Sequence, residues 1–75
     1  MFGKLREIIL MYVEYDENAI SEETKFLEDL GMSSFDIASL IGEVEEEFDI
    51  DVETEDLKDI VSIKDLMEYI SYKQQ

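Results

Sequence analysis

The stretch that decides this fold is Asp29-Leu30-Gly31-Met32-Ser33-Ser34-Phe35-Asp36. Gly31 permits a sharp turn, and Ser33 with Asp36 three residues later matches a serine-to-aspartate variant of the capping box that starts a helix. Such a cap contributes roughly 1 kcal/mol to stability. Ser34 then occupies the first helical position, where free backbone N–H groups and the helix dipole favour an attached phosphate.

The residues that follow have the apolar spacing of an amphipathic second helix. Its predicted inward stripe consists of Ile37, Leu40, Ile41, Val44 and Phe48. The outer side carries Phe35, Asp36, Ser39, Glu43, Glu46 and Glu47. Gly42 lies inside this helix at a cost of about 1 kcal/mol relative to alanine, which indicates either a close packing contact or a surface used by a partner.

Upstream of the deciding stretch, fading apolar periodicity predicts a long loop over residues 16–33. Its isolated apolar residues Ile20, Phe26 and Leu30 are candidates for anchoring the loop to a core. The chain begins with a first helix, and its expected apolar face consists of Phe2, Leu5, Ile8, Ile9, Tyr12 and Val13.

After the second helix, Ile50 and Val52 alternate with acidic residues and predict an extended connector that turns both side chains inward. A short third helix is expected from about residue 54 to residue 60. Ser62 and Asp65 repeat the capping pattern and start the last helix. The expected buried stripe of this helix is Ile63, Leu66, Met67 and Ile70.

These segments predict an all-α fold, a small four-helix bundle with three longer helices and one short helix. A long loop joins helices one and two. The 75 residues suffice for one domain, residues 1–75.

The composition excludes several classes of function. The chain has no histidine and no cysteine, which removes thiol nucleophiles, thiolate zinc sites and the usual general base at neutral pH. Intrinsic catalysis is therefore not expected. A formal charge of −15 argues against nucleic-acid binding, which depends on lysine and arginine, and predicts basic partners. No apolar stretch is long enough for membrane insertion, and a soluble cytoplasmic protein is expected.

The order of these parts resembles the acyl carrier protein family over nearly the whole chain. The family motif Asp-Leu-Gly-x-Asp-Ser-Leu aligns without gaps on residues 29–35, and the acidic helix ends with Glu-Glu-Glu-Phe at residues 45–48. The resemblance implies that a phosphopantetheinyl transferase uses magnesium to move 4′-phosphopantetheine from coenzyme A onto the Ser34 hydroxyl. It also implies a carrier without chemistry of its own, because the thiol of the arm holds the acyl group as a thioester.

The resemblance further implies how partners recognise the carrier. In the family, the acidic side of helix two meets basic patches on partner enzymes. The corresponding side chains here are Phe35, Asp36, Ser39, Glu43, Glu46 and Glu47. The expected partners are the transferase and the acyl-loading ligases or synthases of fatty-acid, polyketide or related biosynthesis, which meet a monomeric carrier.

Three departures from the family pattern bear on this expectation. Ser33 replaces the aspartate before the modified serine, which affects recognition by some transferases and leaves Ser33 as an alternative acceptor to Ser34. Phe35 replaces a leucine. Ser39 and Gly42 stand where fatty-acid carriers commonly have glutamate and methionine, which indicates specialised partners.

Other classes of function account for parts of the sequence. Residues 49–55 space carboxylates like the start of an EF-hand loop, but Thr54 stands where a glycine is needed and Ile60 where a glutamate is needed. No specific metal site is therefore expected. The composition also permits an unmodified acidic module, such as a regulatory binder or nucleic-acid mimic, but this leaves the turn before Ser34 unexplained. A serine near a helix start is usually just a cap, and Ser33 already fills that role.

Overall fold

The computed structural model of the chain describes all 75 residues and has an all-α architecture. Its three longer helices are α1 (Phe2–Ile9), α2 (Ser34–Phe48) and α3 (Ile63–Lys73). Two short 3₁₀ helices, Glu17–Ala19 and Thr54–Asp59, lie in the connections before α2 and before α3. The predicted bundle of three longer helices and one short helix before α3 is confirmed, and the three-residue 3₁₀ helix Glu17–Ala19 lies in addition within the predicted long loop. None of the helices combines the length and the hydropathy that crossing a lipid bilayer requires.

All three α-helices contribute to one apolar core. The largest fully buried side chains are Leu5, Ile9, Leu40, Val44, Ile63, Leu66 and Ile70. Within each helix these positions are three or four residues apart, the spacing that places side chains on one helix face. The predicted stripe of α2 is buried at Leu40, Ile41 and Val44 and half-buried at Ile37 and Phe48.

The first helix is shorter than its apolar spacing predicts. It ends at Ile9, after which the N–H groups of Met11 and Tyr12 donate to carbonyls only three residues back, at 3.0 and 2.9 Å. Such bonds tighten the chain into turns and end the regular helix. The prediction that Tyr12 and Val13 belong to the helix was therefore wrong, although both side chains still pack half-buried against the core.

The long loop before α2 is fixed to the start of α3. The N–H of Phe26 donates to the Val61 carbonyl at 3.1 Å, and the N–H of Ile63 donates to the Thr24 carbonyl at 3.0 Å. These two bonds form an isolated antiparallel β-bridge at Lys25. The predicted anchors Ile20, Phe26 and Leu30 are all buried. The loop therefore follows a defined course although it contains little regular secondary structure.

The short helix before α3 is a 3₁₀ helix that ends at Asp59, close to the predicted boundary. Tyr69 of α3 holds this segment in place. Its hydroxyl donates to the Asp56 carboxylate at 2.7 Å and accepts a hydrogen bond from the Glu53 N–H at 3.2 Å. Burial and the hydrogen bond to the Asp56 carboxylate raise the pKa of Tyr69. One tyrosine thus fastens the 3₁₀ segment to the bundle.

The last helix begins with the predicted capping box. The Ser62 hydroxyl accepts a hydrogen bond from the Asp65 N–H at 3.2 Å. The Asp65 carboxylate accepts one from the Ser62 N–H at 3.1 Å and another from the Val61 N–H at 3.0 Å. The Val61 N–H contributes most to lowering the pKa of Asp65, and the bonds from Ser62 add to it. The cap therefore also fixes Val61, whose carbonyl holds the loop before α2.

Candidate functional site

A tight turn built on Gly31 leads the chain into α2. Gly31 has φ +64°, in the left-handed region that glycine adopts readily. Asp29 stabilises the turn, because its carboxylate accepts a hydrogen bond from the Lys25 N–H at 2.8 Å. The N–H groups of Asp29 and Leu30 donate to the Lys25 carbonyl at 3.0 and 3.1 Å. The Asp-Leu-Gly part of the motif is thus a structural unit that sets the direction of the chain before Ser33.

Met32, at a variable position of the motif, fixes the start of α2 to the core. Its side chain is 2% exposed, and its N–H donates to the Phe26 carbonyl at 3.0 Å. This role was not predicted from the sequence. No periodic pattern could have indicated it, because the turn at Gly31 separates Met32 from the apolar residues before it.

The two adjacent serines have different roles. The Ser33 hydroxyl accepts a hydrogen bond from the Asp36 N–H, and the Asp36 carboxylate accepts one from the Ser33 N–H, both at 3.1 Å. The predicted capping box is confirmed. Ser34 is the first residue of α2, exposed, and its hydroxyl makes no hydrogen bond within the chain. The structure therefore uses Ser33 to start the helix and leaves the Ser34 hydroxyl accessible.

No group of the chain activates the Ser34 hydroxyl. A serine nucleophile requires a base within hydrogen-bond reach, and this hydroxyl has no such partner. The chain has no histidine that could serve in that role.

The outer side of α2 forms a continuous acidic surface, which we term the α2 surface. It consists of Phe35, Asp36, Ser39, Glu43, Glu46 and Glu47. Phe35 is 78% exposed, Glu46 and Glu47 are exposed, and the other three residues are half-buried. The ion pairs of the chain involve Glu7, Glu28 and Glu53, so no lysine or arginine neutralises the carboxylates of the α2 surface. The predicted residues are thus brought together, with an uncompensated negative charge.

Tyr12 borders this surface, which the sequence did not predict. Its hydroxyl donates to the Ser39 carbonyl at 3.4 Å, a long hydrogen bond. Burial, together with the Glu43 carboxylate, raises the pKa of Tyr12. The turn after α1 therefore packs beside the middle of α2, a contact that follows from the early end of α1.

The structure also describes the surroundings of two further residues of α2, Gly42 and Glu45. A Cβ atom added at Gly42 would meet no atom within 4 Å, which rules out a close packing contact within the domain as the reason for this glycine. The other explanation, a surface used by a partner, stays a prediction. The Glu45 carboxylate accepts a hydrogen bond from the Val52 N–H at 2.9 Å, so this glutamate secures the connector after α2.

The chain is similar to proteins of one family. The family model described as "Phosphopantetheine attachment site" matches residues 3–70. The acyl carrier protein of Clostridium perfringens is 39% identical over 71 residues, which cover 95% of this chain and 93% of that protein. The acyl carrier protein of Nitratidesulfovibrio vulgaris is 35% identical over the same coverage. The acyl carrier protein of Campylobacter lari is 31% identical over 75 residues, which cover 100% of this chain and 97% of that protein.

Proposed function

Because this chain belongs to the family of phosphopantetheine-bearing acyl carrier proteins, we propose that the Ser34 hydroxyl is the attachment point of its 4′-phosphopantetheine. The chain is an acyl carrier and not an enzyme, and its phosphopantetheine is covalently bound. The arm supplies a terminal thiol that holds acyl groups as thioesters. The residues of the chain position the arm and present it to other proteins.

One observation carries the assignment to Ser34. Of the two adjacent serines, only Ser33 is engaged in the capping box, while the hydroxyl of Ser34 is exposed and free of hydrogen bonds. Ser34 also aligns with the modified serine of the family motif. Modification of Ser33 would place a bulky group on the oxygen that accepts the Asp36 N–H bond at the start of α2, whereas the Ser34 hydroxyl takes part in no hydrogen bond of the fold.

The start of α2 suits a phosphodiester on Ser34. The N–H groups of Ser34 and Phe35 have no acceptor within the chain, because the cap satisfies only the Asp36 N–H, and the Ile37 N–H donates to the Ser33 carbonyl at 3.0 Å. Free N–H groups and the positive end of the helix dipole stabilise a phosphate at this position.

The loading reaction is assigned to a separate phosphopantetheinyl transferase. Support comes from the absence of any base bonded to the Ser34 hydroxyl, since such a serine is a weak nucleophile until an external group removes its proton. Loading consumes coenzyme A, so the proposal places the carrier in the cytoplasm. The carrier is further proposed to act as a monomer. Ser33 in place of the family aspartate removes one carboxylate from the surface that the transferase meets.

Intact mass measurement tests the attachment site. Incubation of the chain with coenzyme A, magnesium and a phosphopantetheinyl transferase should add the mass of one phosphopantetheine. The same treatment should leave Ser34→Ala unchanged and should load Ser33→Ala. Loading of Ser34→Ala would overturn the assignment, and a wild-type chain that no transferase loads would favour the unmodified acidic module instead.

The α2 surface is proposed to recognise partner enzymes through basic patches. The partners are the transferase and the acyl-loading ligases or synthases of fatty-acid, polyketide or related biosynthesis. Support comes from the unpaired carboxylates of Glu43, Glu46 and Glu47 and from the exposed Phe35 beside Ser34. Opposite charges accelerate encounter more than they prolong binding, which suits a carrier that visits several enzymes.

Matched charge reversals test this surface. The double variant Glu46→Lys and Glu47→Lys changes the α2 surface, whereas Glu22→Lys and Glu23→Lys makes the same change of net charge on exposed loop residues. We expect kcat/KM of the transferase to fall about ten-fold for the first variant and about two-fold or less for the second. High salt should shrink the difference, because it screens exposed charges. Equal losses in both variants would contradict the proposed surface.

A further inference from the structure

A shallow depression lies between the outer face of α3 and the start of α1. It has a volume of about 440 Å³, and its apolar lining consists of Met1, Met67 and Tyr72. Tyr72 is 70% exposed and Met1 is 44% exposed, whereas Met67 is half-buried because it also packs against the core. Nothing within the chain covers Tyr72 and Met1, so the depression presents apolar surface to solvent.

The depression lies on the side of α3 that points away from the core. The buried residues of this helix are Ile63, Leu66 and Ile70. Glu68 and Tyr72, which line the depression, fall on the opposite side, since successive residues of a helix are rotated by about 100°. No residue of α2 contributes to the depression. It is therefore a surface separate from the α2 surface.

Backbone hydrogen bonds fix both edges of the depression. The Lys64 N–H donates to the Glu22 carbonyl at 2.8 Å, which joins the loop to the start of α3. The Leu5 N–H donates to the Met1 carbonyl at 3.1 Å, and the fully buried Leu5 fixes this first turn of α1 to the core. The depression is thus preformed, and an occupant does not have to order the backbone of the chain.

A second depression, on the other side of Glu68 and Tyr72, is strongly acidic. Glu68 and Tyr72 line both depressions, which we together term the α3 surface. The other carboxylates of the second depression belong to Asp56, Asp59 and Asp65. Lys64 is the only basic side chain that lines either depression, and no ion pair involves any of these residues. The α3 surface therefore places uncompensated negative charge directly beside exposed apolar side chains.

We infer that the α3 surface docks a basic amphipathic helix of a partner protein. Apolar side chains of that helix contact Met67 and Tyr72, and its arginine or lysine side chains lie against Glu68 and Asp59. The two depressions differ in character and share one ridge, which matches the adjacent apolar and basic faces of such a helix.

The charge of the α3 surface argues against other occupants. A second copy of the chain would bring a net charge of −15 against the same carboxylates, and the anionic lipids of a membrane would be repelled in the same way. Pockets for small ligands cover most of the ligand's surface, which a depression this open to solvent does not do. A cationic segment of another protein fits both the shape and the charge.

Docking on the α3 surface leaves the α2 surface and Ser34 free. A partner that holds the carrier through α3 would therefore keep it nearby while other enzymes act at Ser34, which raises the effective concentration of the carrier for them. The inference goes beyond the proposed function and does not depend on attachment at Ser34.

NMR mapping with a synthetic peptide tests the location. The probe is a helix of about 15 residues with leucines four residues apart on one face and arginines on the adjacent face. Added to the isotope-labelled chain, it should shift the amide signals of residues 64–75 and of Glu22 most strongly. Shifts centred on residues 35–47, shifts spread evenly over the acidic residues, or no binding would each overturn the inference.

A second peptide tests the apolar part of the contact. Replacing the leucines of the probe by serines keeps its charge and should weaken binding about ten-fold, because the contact with Met67 and Tyr72 is lost. Equal binding of the two peptides would show attraction by charge alone and would contradict the proposed docking.

Two tyrosine variants test the apolar contact from the side of the carrier. Tyr72→Ala should weaken binding of the leucine peptide about ten-fold, because buried aromatic side chains dominate the binding energy of interfaces. Tyr15→Ala removes another exposed tyrosine, outside the α3 surface, and should weaken binding about two-fold or less. Both side chains are exposed, so both variants should fold. Equal losses would contradict the role of Tyr72.

Matched charge reversals test the acidic part of the contact. Asp59→Lys with Glu68→Lys should weaken binding about ten-fold, whereas Glu14→Lys with Glu17→Lys makes the same change of net charge at exposed residues after α1 and should weaken it about two-fold or less. A weakening of the same size in both double variants would mean that only the net charge attracts the peptide, against the inference.

Loading in the presence of the peptide separates the two surfaces. With saturating leucine peptide, kcat/KM of the transferase should change by about two-fold or less, since the α2 surface stays free. A fall of about ten-fold would place the peptide on the α2 surface and overturn the inference. If no transferase loads the chain even without the peptide, the proposed attachment fails, and the NMR mapping and the variants still decide whether the α3 surface docks the helix.

Discussion

Ser33 and Asp36 form two reciprocal hydrogen bonds of 3.1 Å, in which the Asp36 N–H donates to the Ser33 hydroxyl and the Ser33 N–H donates to the Asp36 carboxylate. This exchange engages the hydroxyl oxygen and the N–H of Ser33, whereas the hydroxyl and the N–H of the adjacent Ser34 have no partner within the chain. Both serines are exposed, so this difference in hydrogen bonding, and not accessibility, is what distinguishes them. It also predicts that the two serines differ in their effects on stability.

Substitution of the two serines should separate their structural roles. Ser33→Ala should lower the free energy of unfolding by about 1 kcal/mol, because the Asp36 N–H loses its acceptor, and should lower Tm by about 4–8 °C. Ser34→Ala should change the free energy of unfolding by less than about 0.5 kcal/mol. Urea denaturation of both variants measures the difference. Equal destabilisation would contradict the division of roles.

Glycine-to-alanine substitutions at Gly31 and Gly42 should have opposite signs. Gly31 has φ +64°, so Gly31→Ala should cost about 1–2 kcal/mol from backbone strain alone, since the added Cβ meets no atom within 4 Å. Gly42 is helical and equally open, so Gly42→Ala should stabilise the fold by about 0.5–1 kcal/mol. Thermal denaturation gives both values, and destabilisation by Gly42→Ala would mean that the space around this glycine is not open.

Removing one hydroxyl should loosen the 3₁₀ segment. Tyr69→Phe deletes the bonds to the Asp56 carboxylate and from the Glu53 N–H and should lower the free energy of unfolding by about 1–2 kcal/mol. Tyr72→Phe is the control, because Tyr72 is 70% exposed and makes no side-chain hydrogen bond. Its effect should stay within about 0.5 kcal/mol. Amide exchange should quicken at residues 53–59 in the first variant only, and unchanged exchange there would show that Tyr69 does not fasten the segment.

The capping carboxylate of α3 should contribute stability that depends on pH. The N–H of Val61, together with Ser62, lowers the pKa of Asp65 below its ordinary value of 3.8, so the folded chain binds this proton less readily than the unfolded chain. The contribution is therefore complete above that value and lost as the pH falls through the lower folded pKa. Asp65→Asn should lower the free energy of unfolding by about 1–2 kcal/mol at neutral pH. The difference in this free energy between the variant and wild type should become smaller below about pH 4.

Urea denaturation between neutral and acidic pH measures this difference. Asp59→Asn is the matched control, because Asp59 is exposed and forms no hydrogen bond through its side chain. Its effect should remain within about 0.5 kcal/mol across the range. If the difference in the free energy of unfolding between Asp65→Asn and wild type stayed constant down to the acid transition, the role of the Asp65 carboxylate would be contradicted.

The parts of the fold that depend on neighbouring residues were predictable from the sequence. Both capping boxes are confirmed, because Ser33 with Asp36 and Ser62 with Asp65 act across a single helical turn.

The parts that depend on distant segments were not predictable. The early end of α1 involves the packing of Tyr12 beside Ser39, 27 residues away, which periodicity within one helix cannot reveal. The pairing of Phe26 with Val61 connects the loop before α2 to the start of α3, across 35 positions of the chain. The role of Met32 likewise required knowing where the core lies relative to the turn.

The most direct test of the central claim is fragmentation mass spectrometry of the wild-type chain loaded with phosphopantetheine. Cleavage of the peptide bond between Ser33 and Ser34 separates the two hydroxyls into different fragments. The account predicts that the added mass stays with the fragment that begins at Ser34 and that the fragment ending at Ser33 is unmodified. Added mass on the fragment that ends at Ser33 would contradict it.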